Sequence, residues 1–524
     1  MRNALSLLFV GLCCWTLRAQ EKPEYQTILL KRADELRSGK DRGAEKISVL
    51  IGNIQLLHGG YTLSSDSAEL NQSKNQAYFY QNAHLNVGDT VDLFSDAMFY
   101  DGNTEFAQAT GRVRLIDKDM TLTTDTLYFD GKKDIAYYRS GGKIVDRKDT
   151  LTSRLATYDI ADKKIIFKSE VHIDHPEYII DSEQLTYYRL TQLVLFDGSS
   201  TVVDKSDGTE IYTEKGNYNT NTSIAHLTKN PIVHYKNQDL KGDSIFYNKK
   251  MGFGSATGHI EMRAPQEKTL IRGGYGEYFQ FQDSAFVVQQ PVAIRTFLKN
   301  DRSVDSLYIH GDTISAMRQG PGGSRVLRVF HDVKFFKSDL QGRCDHMRYD
   351  ESNGVMKMLG NPIAWSGKTQ MTADTILLTT APKESELDSL ILIEKAFITS
   401  KVYPLDPSDQ AFDQVKGQRI YGKFIQNELR QVLVSGNAES IYYVNDDKKM
   451  DSTTGKPERI GINKMQCAEI FMTLKNRNLE TISCREQPDA VLYPEAGLPE
   501  NARVLSGFSW RESERPKSKE AIFK

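Results

Sequence analysis

Chemistry in an unfamiliar chain is sought first among histidines, paired acids, nucleophiles beside a base, and glycine-rich loops. The densest cluster is Val171-His-Ile-Asp-His175. His172 and Asp174 stand two apart and so share one face of a strand, with His175 adjacent. Such a pair could begin a metal site, but a structural zinc takes four ligands and no third stands near. Solvated strand polarity is the favoured reading, and no metal is assigned. The glycines of Arg272-Gly-Gly-Tyr-Gly-Glu-Tyr278 and Gly320-Pro-Gly-Gly-Ser-Arg325 lack the Lys-Ser/Thr ending of a phosphate loop and read as turns or bulges. No catalytic residue and no cofactor is assigned.

The acids are more informative for their spacing than for their reactivity. Asp66, Asp96 and Asp125 each precede an apolar run, at separations of 30 and 29 residues, and Arg154 stands 29 further on. Glu183, Glu214, Asp243, Gly274, Asp312, Asp345 and Asp374 continue the series. A period near thirty means one supersecondary unit stacked many times. A catalytic acid would not give way to Arg154 or Gly274, so the slot is read as shaping the backbone. The acid is expected at a strand entrance, accepting hydrogen bonds from backbone N–H groups and fixing a turn or bulge.

Within a unit the apolar residues alternate. Two residues and four residues past the acid stand Ala68 and Leu70, Met98 and Tyr100, Leu127 and Phe129, Ile245 and Tyr247, Ile376 and Leu378. Period two is a strand with one buried face. A second run follows a polar turn, as in Val113 and Leu115 or Val171 and Ile173, and the turns (Tyr100-Asp-Gly-Asn, Phe129-Asp-Gly-Lys) carry tight-hairpin chemistry. Each unit is therefore expected to be two short strands and two turns, and the fold class all-β, with repeated antiparallel strands. Helix is expected only in the leader and over residues 25–39.

The residues that must do any binding are then the inward ones: Leu70, Met98, Val113, Leu115, Leu127, Phe129, Val171, Ile173, Ile245, Tyr247, Ile376 and Leu378. They serve equally as a packed sandwich core or as the lining of a groove, because both need an apolar inner face. From the residues alone the packed core is favoured.

Composition narrows the alternatives. Lys plus Arg number 67 against 69 for Asp plus Glu, a formal charge of −2 with no basic stripe, which argues against nucleic acid as a partner. Arg2, an apolar run to Trp15 and Ala19 read as a cleaved secretory signal over residues 1–19, with acylation at Cys13 or Cys14 as the alternative to a soluble mature protein. Past it, Cys344, Cys467 and Cys484 form no disulfide framework; a Cys467–Cys484 bridge and three buried thiols both remain open.

The phrases Leu122-Thr-Thr-Asp-Thr-Leu-Tyr-Phe-Asp-Gly through Gly142-Lys-Ile-Val-Asp146, and Phe94-Ser-Asp-Ala-Met-Phe-Tyr-Asp-Gly through Asp125, resemble the OstA-like repeat. The resemblance is close over residues 47–380 and looser over 381–495. That family comprises periplasmic lipopolysaccharide-transport proteins and the N-terminal domain of the outer-membrane translocon. The resemblance implies an elongated, open V-shaped jellyroll whose apolar groove shields acyl chains, with lipopolysaccharide or a related glycolipid as ligand. It also implies other OstA-like jellyroll proteins as partners by edge-to-edge strand pairing, a periplasmic location and no enzymatic activity. It turns the inward residues toward the groove reading. The chain is longer than a one-module bridge protein, which leaves homo-oligomerisation open, and it lacks a barrel-length run of strands after residue 495. The expected organisation is a signal (1–19), a linker (20–46), jellyroll repeats (47–320), a continuing or second module (321–495) and a charged, frayed tail (496–524). The competing functions are an envelope or adhesion protein with a filled core, and a β-helix that binds or cleaves polysaccharide.

Overall fold

The computed structural model describes residues 27–38, 46–88, 91–265, 268–298, 303–319, 323, 325–350, 352–380, 387–402, 411–425, 428–450, 457–475, 478–494, 499 and 502–524. The expected signal lies outside them. The described chain is nearly all antiparallel strand, as the alternation requires, and falls into two compact units, Met1–Asp207 and Gly208–Lys524.

In the first unit the repeat is built partly from long strands rather than short ones, and partly from short ones such as Ile135–Tyr138 and Gly142–Asp146. Val91–Asp101, Phe106–Asp117 and Met120–Asp130 pair in sequence order, and Asp96 sits in the middle of its strand. Asp66, Asp125, Glu183 and Asp345 likewise lie within a strand, which corrects the expected strand entrance for these acids, whereas Glu214, Asp243, Asp312 and Asp374 stand just ahead of one, as expected. Burial explains why the motif looked like a beginning: Val91, Leu93 and Ser95 are buried before Asp96, but Met98 and Tyr100 after it. The alternation changes phase at the acid because Gln81 and Asn82 on one neighbour, both left-handed (φ 63° and 51°), stand against one residue of this strand. This two-for-one bulge bends the strand and keeps one face inward on both sides of the bend.

The bulge recurs at Gly52–Asn53, Gly111–Arg112 and Ser169–Glu170 here, and at Gly258–His259, Gln289–Gln290, His331–Asp332, Gly360–Asn361 and Glu394–Lys395 in the second unit. What the slot supplies to most of them is a backbone N–H: Asp34 to Gly52 O, Arg154 to Ser169 O, Asp243 to Gly258 O, Gly274 to Gln289 O, Asp345 to Gly360 O. That is why Arg154 and Gly274 are tolerated. At several of the acids the carboxylate adds a bond to a bulge side chain rather than to backbone N–H groups: Asp34 accepts from Asn53 (2.7 Å), Asp66 from Asn82 (2.8 Å), Asp96 from Arg112 (2.7 Å). These contacts are exposed and stabilise little individually.

Each bent strand has two arms. The turns at the end of one arm are fixed by a side chain accepting from backbone N–H groups two or three residues on: Asp101 from Asn103 and Thr104, Asp130 from Lys133, Asp159 from Asp162, Asn248 from Met251. We call this the first arm and the opposite one the second arm.

Residues 25–39 are not helical where described. Leu29–Arg32 and Glu35–Ser38 pair with Ile47–His58, so strand structure reaches into the stretch read as a linker. A lone helix of that length is marginal in water, whereas the sheet edge offers backbone partners, and Asp34 forms one more corner of the repeat.

In the second unit Thr313–Arg318 pairs with Arg325–Phe336 across the break expected at 320/321. Cys467 and Cys484 are disulfide-bonded, and Cys344 is a buried free thiol. The tail is not frayed where described. Leu505 joins a cluster with Phe397, Ile441, Tyr443 and Ile462, and Phe508 and Trp510 pack on Phe412. Three buried glutamines hold its backbone and charges: Gln414 accepts from Leu505 N (2.9 Å), Gln370 from Arg511 N (2.7 Å), and Gln341 from Arg515 (2.6 Å). The apolar residues spaced among its charges were the overlooked signal.

Candidate functional site

The two arms meet in the first unit. His58 Nδ1 lies 2.8 Å from the Tyr100 hydroxyl, and the Tyr61 hydroxyl donates to Gly131 O at 3.2 Å. Further along, Arg189 of the first arm reaches Asp117 (3.2 Å) and Asp146 (3.1 Å) of the second, and Lys163 reaches Asp117 at 2.6 Å. The Tyr158 hydroxyl also donates to Asp117. Asp117, Asp146 and Arg189 are 0%, 1% and 5% exposed, so this seam is dry. Burial raises the Asp149 carboxyl above its ordinary range, although it accepts from the Tyr178 and Tyr187 hydroxyls. The Arg189 guanidinium is held above its usual value: burial works to lower it, and the neighbouring Asp146 and Tyr158 overcome that.

In the second unit the arms enclose a cavity of about 1120 Å³, lined from both sides between Tyr235 and Leu387. This is at or above the upper end of the roughly 300–1,000 Å³ common for small-molecule sites. Its wall is built from inward strand positions, among them Ile271, Ala293, Leu307, Leu327, Met356 and Leu378. Seven cations also line it, Lys236, Arg263, Lys268, Arg295, Arg318, Arg325 and Lys337, against the single carboxylate of Asp283. Arg318 is tied to Asp283 at 2.6 Å, Arg263 to Glu261 at 2.8 Å and Lys337 to Asp339 at 2.6 Å. Arg295 crosses between the arms, donating from one terminal nitrogen to the Tyr349 hydroxyl, with its guanidinium 5.4 Å from the Tyr349 ring centre and 5.7 Å from that of Phe297.

The structure separates the twelve inward residues into groups. Leu70, Met98, Val113, Leu115, Leu127, Phe129, Val171 and Ile173 lie in the first unit, each at most 3% exposed. Ile245 is buried in a small cluster with Ala225, Leu227, Ala256 and Ile260, against which the half-buried Tyr247 packs. Ile376 and Leu378 belong to the main core of the second unit, and of the twelve Leu378 lines the cavity. His172 pairs with Asp181 (2.7 Å) and Asp174 with Lys205 (2.6 Å), and the described residues contain no cluster of metal-ligating side chains. The cationic lining was missed because its members are scattered from Lys236 to Lys337, one or two per strand end, and form no run. The available signal was that several of them stand at strand ends on the inward side.

Bent antiparallel strand pairs, repeated about every thirty residues and folded over an apolar interior, define a stacked β-scaffold with the jellyroll kind of enclosure. The chain belongs to the OstA-like protein family, whose sequence model matches residues 25–183 and 194–299, just over half of the chain. Among curated proteins, none matches the sequence. Among solved structures, LptH from Pseudomonas aeruginosa, the LptA-homologous periplasmic component of the conserved lipopolysaccharide transport device, is similar at 16% identity. The match covers 30% of this chain and 95% of that one, with a TM-score of 0.21, and a likeness at that score carries no argument about this chain. No helix among the described residues is long and apolar enough to cross a membrane.

Proposed function

We propose that the protein is a non-enzymatic periplasmic carrier or bridge that shields the acyl chains of lipopolysaccharide or a related glycolipid on the way to the outer membrane. The observation that carries this reading is the apolar cavity held open between the two arms of the second unit, in a member of the OstA-like family. Each methylene moved from water into such a cavity contributes about 0.8 kcal/mol, so even part of one acyl chain is a substantial ligand. Repetition of similar strand pairs makes adjacent positions nearly equal in energy, which suits sliding while a separate machine supplies direction. Acyl-chain contact is proposed for Leu378 in the cavity, and for the inner face of the first unit, Val113, Leu127 and Phe129 among it, when the seam between its arms opens.

Edge pairing with other OstA-like jellyroll proteins, or with a second copy, is supported by edge strands in each unit. Leu29–Arg32 and Glu35–Ser38 in the first unit, and Asn478–Arg485 and Asp489–Pro494 in the second, have a partner on one side among the described residues. Leu36 and Leu492 are exposed there. An unpaired strand edge is a template for another chain.

Photo-crosslinking in cells tests the carrier reading. A photoreactive side chain at Leu307 or Ile271 should yield glycolipid adducts, one at Leu127 or Val113 fewer, and one at outward Thr126 or Arg112 none. Equal labelling at all six positions, or none at any in folded protein, favours a packed envelope protein.

A further inference from the structure

We propose that the cavity carries an anion-binding site, centred on Arg295 with Lys268 and Lys236, for the phosphate-type oxyanion of an amphiphile's headgroup. This rests on the carrier reading and goes beyond it by assigning the ligand's charge and the residues that read it.

Three of the seven lining cations, Arg295, Lys268 and Lys236, have no carboxylate partner among the described residues. Arg295 has a neutral phenol and two ring faces as its neighbours, and Lys236 the Tyr235 ring at 4.9 Å. A guanidinium offers five N–H donors, and one of those of Arg295 is used. The aromatic contacts hold its plane without neutralising it, and a planar fork with free donors matches a phosphate or carboxylate in two-point geometry.

The ladder brings Lys268 and Arg295 together. Thr269 is the register partner of Arg295, and the amide of Thr296 donates to the carbonyl of Lys268 at 3.0 Å. Lys236 stands in the second-arm turn between Ile232–Tyr235 and Gln238–Lys241, and the latter strand pairs with the one that carries Arg263, whose register partner is Leu270. The unpaired cations thus come from strand ends of the same arm. In a chain with formal charge −2, three cations without a carboxylate partner among the described residues around one cavity are a local concentration. Lys236 and Lys268 are exposed and Arg295 is half-buried, so the charge that loses hydration beside the apolar wall is that of Arg295. The arrangement of apolar wall and unneutralised arginine fits an amphiphile whose chains occupy the wall and whose oxyanion meets Arg295.

The test uses the full-length protein and three probes: dodecyl phosphate, neutral dodecyl maltoside and inorganic phosphate, titrated calorimetrically against wild type, Arg295→Gln and Arg295→Gln/Lys268→Gln. Circular dichroism and melting curves establish that the variants are folded. The expected result is that wild type prefers dodecyl phosphate to dodecyl maltoside. Arg295→Gln should weaken the phosphate amphiphile by about tenfold to a hundredfold, the scale of a charged hydrogen bond, and leave the maltoside unchanged. The double variant should have no preference left. If both amphiphiles bind wild type equally, or Arg295→Gln affects both alike, the anion site is overturned and the carrier reading stands. If inorganic phosphate alone binds as tightly as dodecyl phosphate in an Arg295-dependent way, the anion site is real, its source is free phosphate, and the headgroup assignment falls. Absence of binding by all three probes overturns both.

Discussion

Arg189→Met asks how firmly the first unit is held shut. The methionine keeps much of the volume of the side chain and removes its charge. In the wild type Arg189 is 5% exposed, and both of its nitrogens facing Asp146 lie within hydrogen-bond range, at 3.1 and 3.3 Å. Asp117 would keep Lys163 at 2.6 Å, but Asp146 would lose the side-chain partner it has among the described residues and remain a buried carboxylate at 1% exposure. Breaking one side of a buried ion pair costs about 3–5 kcal/mol, because the surviving charge cannot be rehydrated. At 1.4 kcal/mol per factor of ten this corresponds to opening roughly a hundredfold to a few thousandfold more frequent. Hydrogen exchange read by mass spectrometry is the suitable assay, since it reports each unit separately. Amides of Met120–Asp130 and Tyr178–Tyr188 should exchange faster, with those of Arg325–Phe336 unaffected. Adding Asp146→Asn should restore most of the protection, because the cost lies in the unpaired charge. A change below about 1 kcal/mol in Arg189→Met, the range of a surface ion pair, or a double variant less protected than the single, would refute the dry, load-sharing seam.

Other expectations concern the corners, a half-buried acid and the tail. Gly111→Ala puts a Cβ 2.7 Å from an Asp96 carboxylate oxygen at φ +78°, and should destabilise by about 1–2 kcal/mol in thermal melts, the scale of the left-handed penalty. Asp413, whose carboxylate accepts from Tyr443 N at 3.0 Å, is pushed by burial to about 6 from an ordinary 3.8. An acid with a raised folded-state value favours folding when protonated, so its contribution is present below about pH 4 and is lost as pH rises toward 6. Asp413→Asn should therefore stabilise by on the order of 2–3 kcal/mol at pH 7.5 and change little at pH 4, with Tm against pH as the measurement. Gln370→Ala removes one bond to Ser509 O and one from Arg511 N, both 2.7 Å, and should make residues 502–524 more sensitive to limited proteolysis than in wild type.

Much of the fold was legible because its two determinants are local. The acid series marks a corner every thirty residues, and the alternation around Met98 and Leu127 marks which side faces in. The same locality misled at the corner itself. The phase change at Asp96 looks like the start of a strand when the two-residue bulge on the neighbouring strand is unseen. Strand pairing of Leu29–Arg32 and the burial of Leu505 depend on partners distant in sequence, and their own residues carry no periodicity strong enough to reveal it. The binding site was the least legible part. Phe129 and Leu378 stand at the same offset from their acids, yet one lies in a closed interior and the other lines a cavity, because the difference is set by whether the arms meet. That depends on pairs such as Arg189 with Asp146, which are 43 residues apart.

Mass spectrometry of the lipid that co-purifies with the full-length protein from its native cells is the most direct test of the carrier assignment. The expected result is a bound, phosphate-bearing glycolipid with several acyl chains, at a stoichiometry that falls when Leu307 is replaced by Arg. A well-folded protein that carries no lipid after mild purification, and takes up none from glycolipid micelles, would contradict it and leave a structural envelope protein as the better reading.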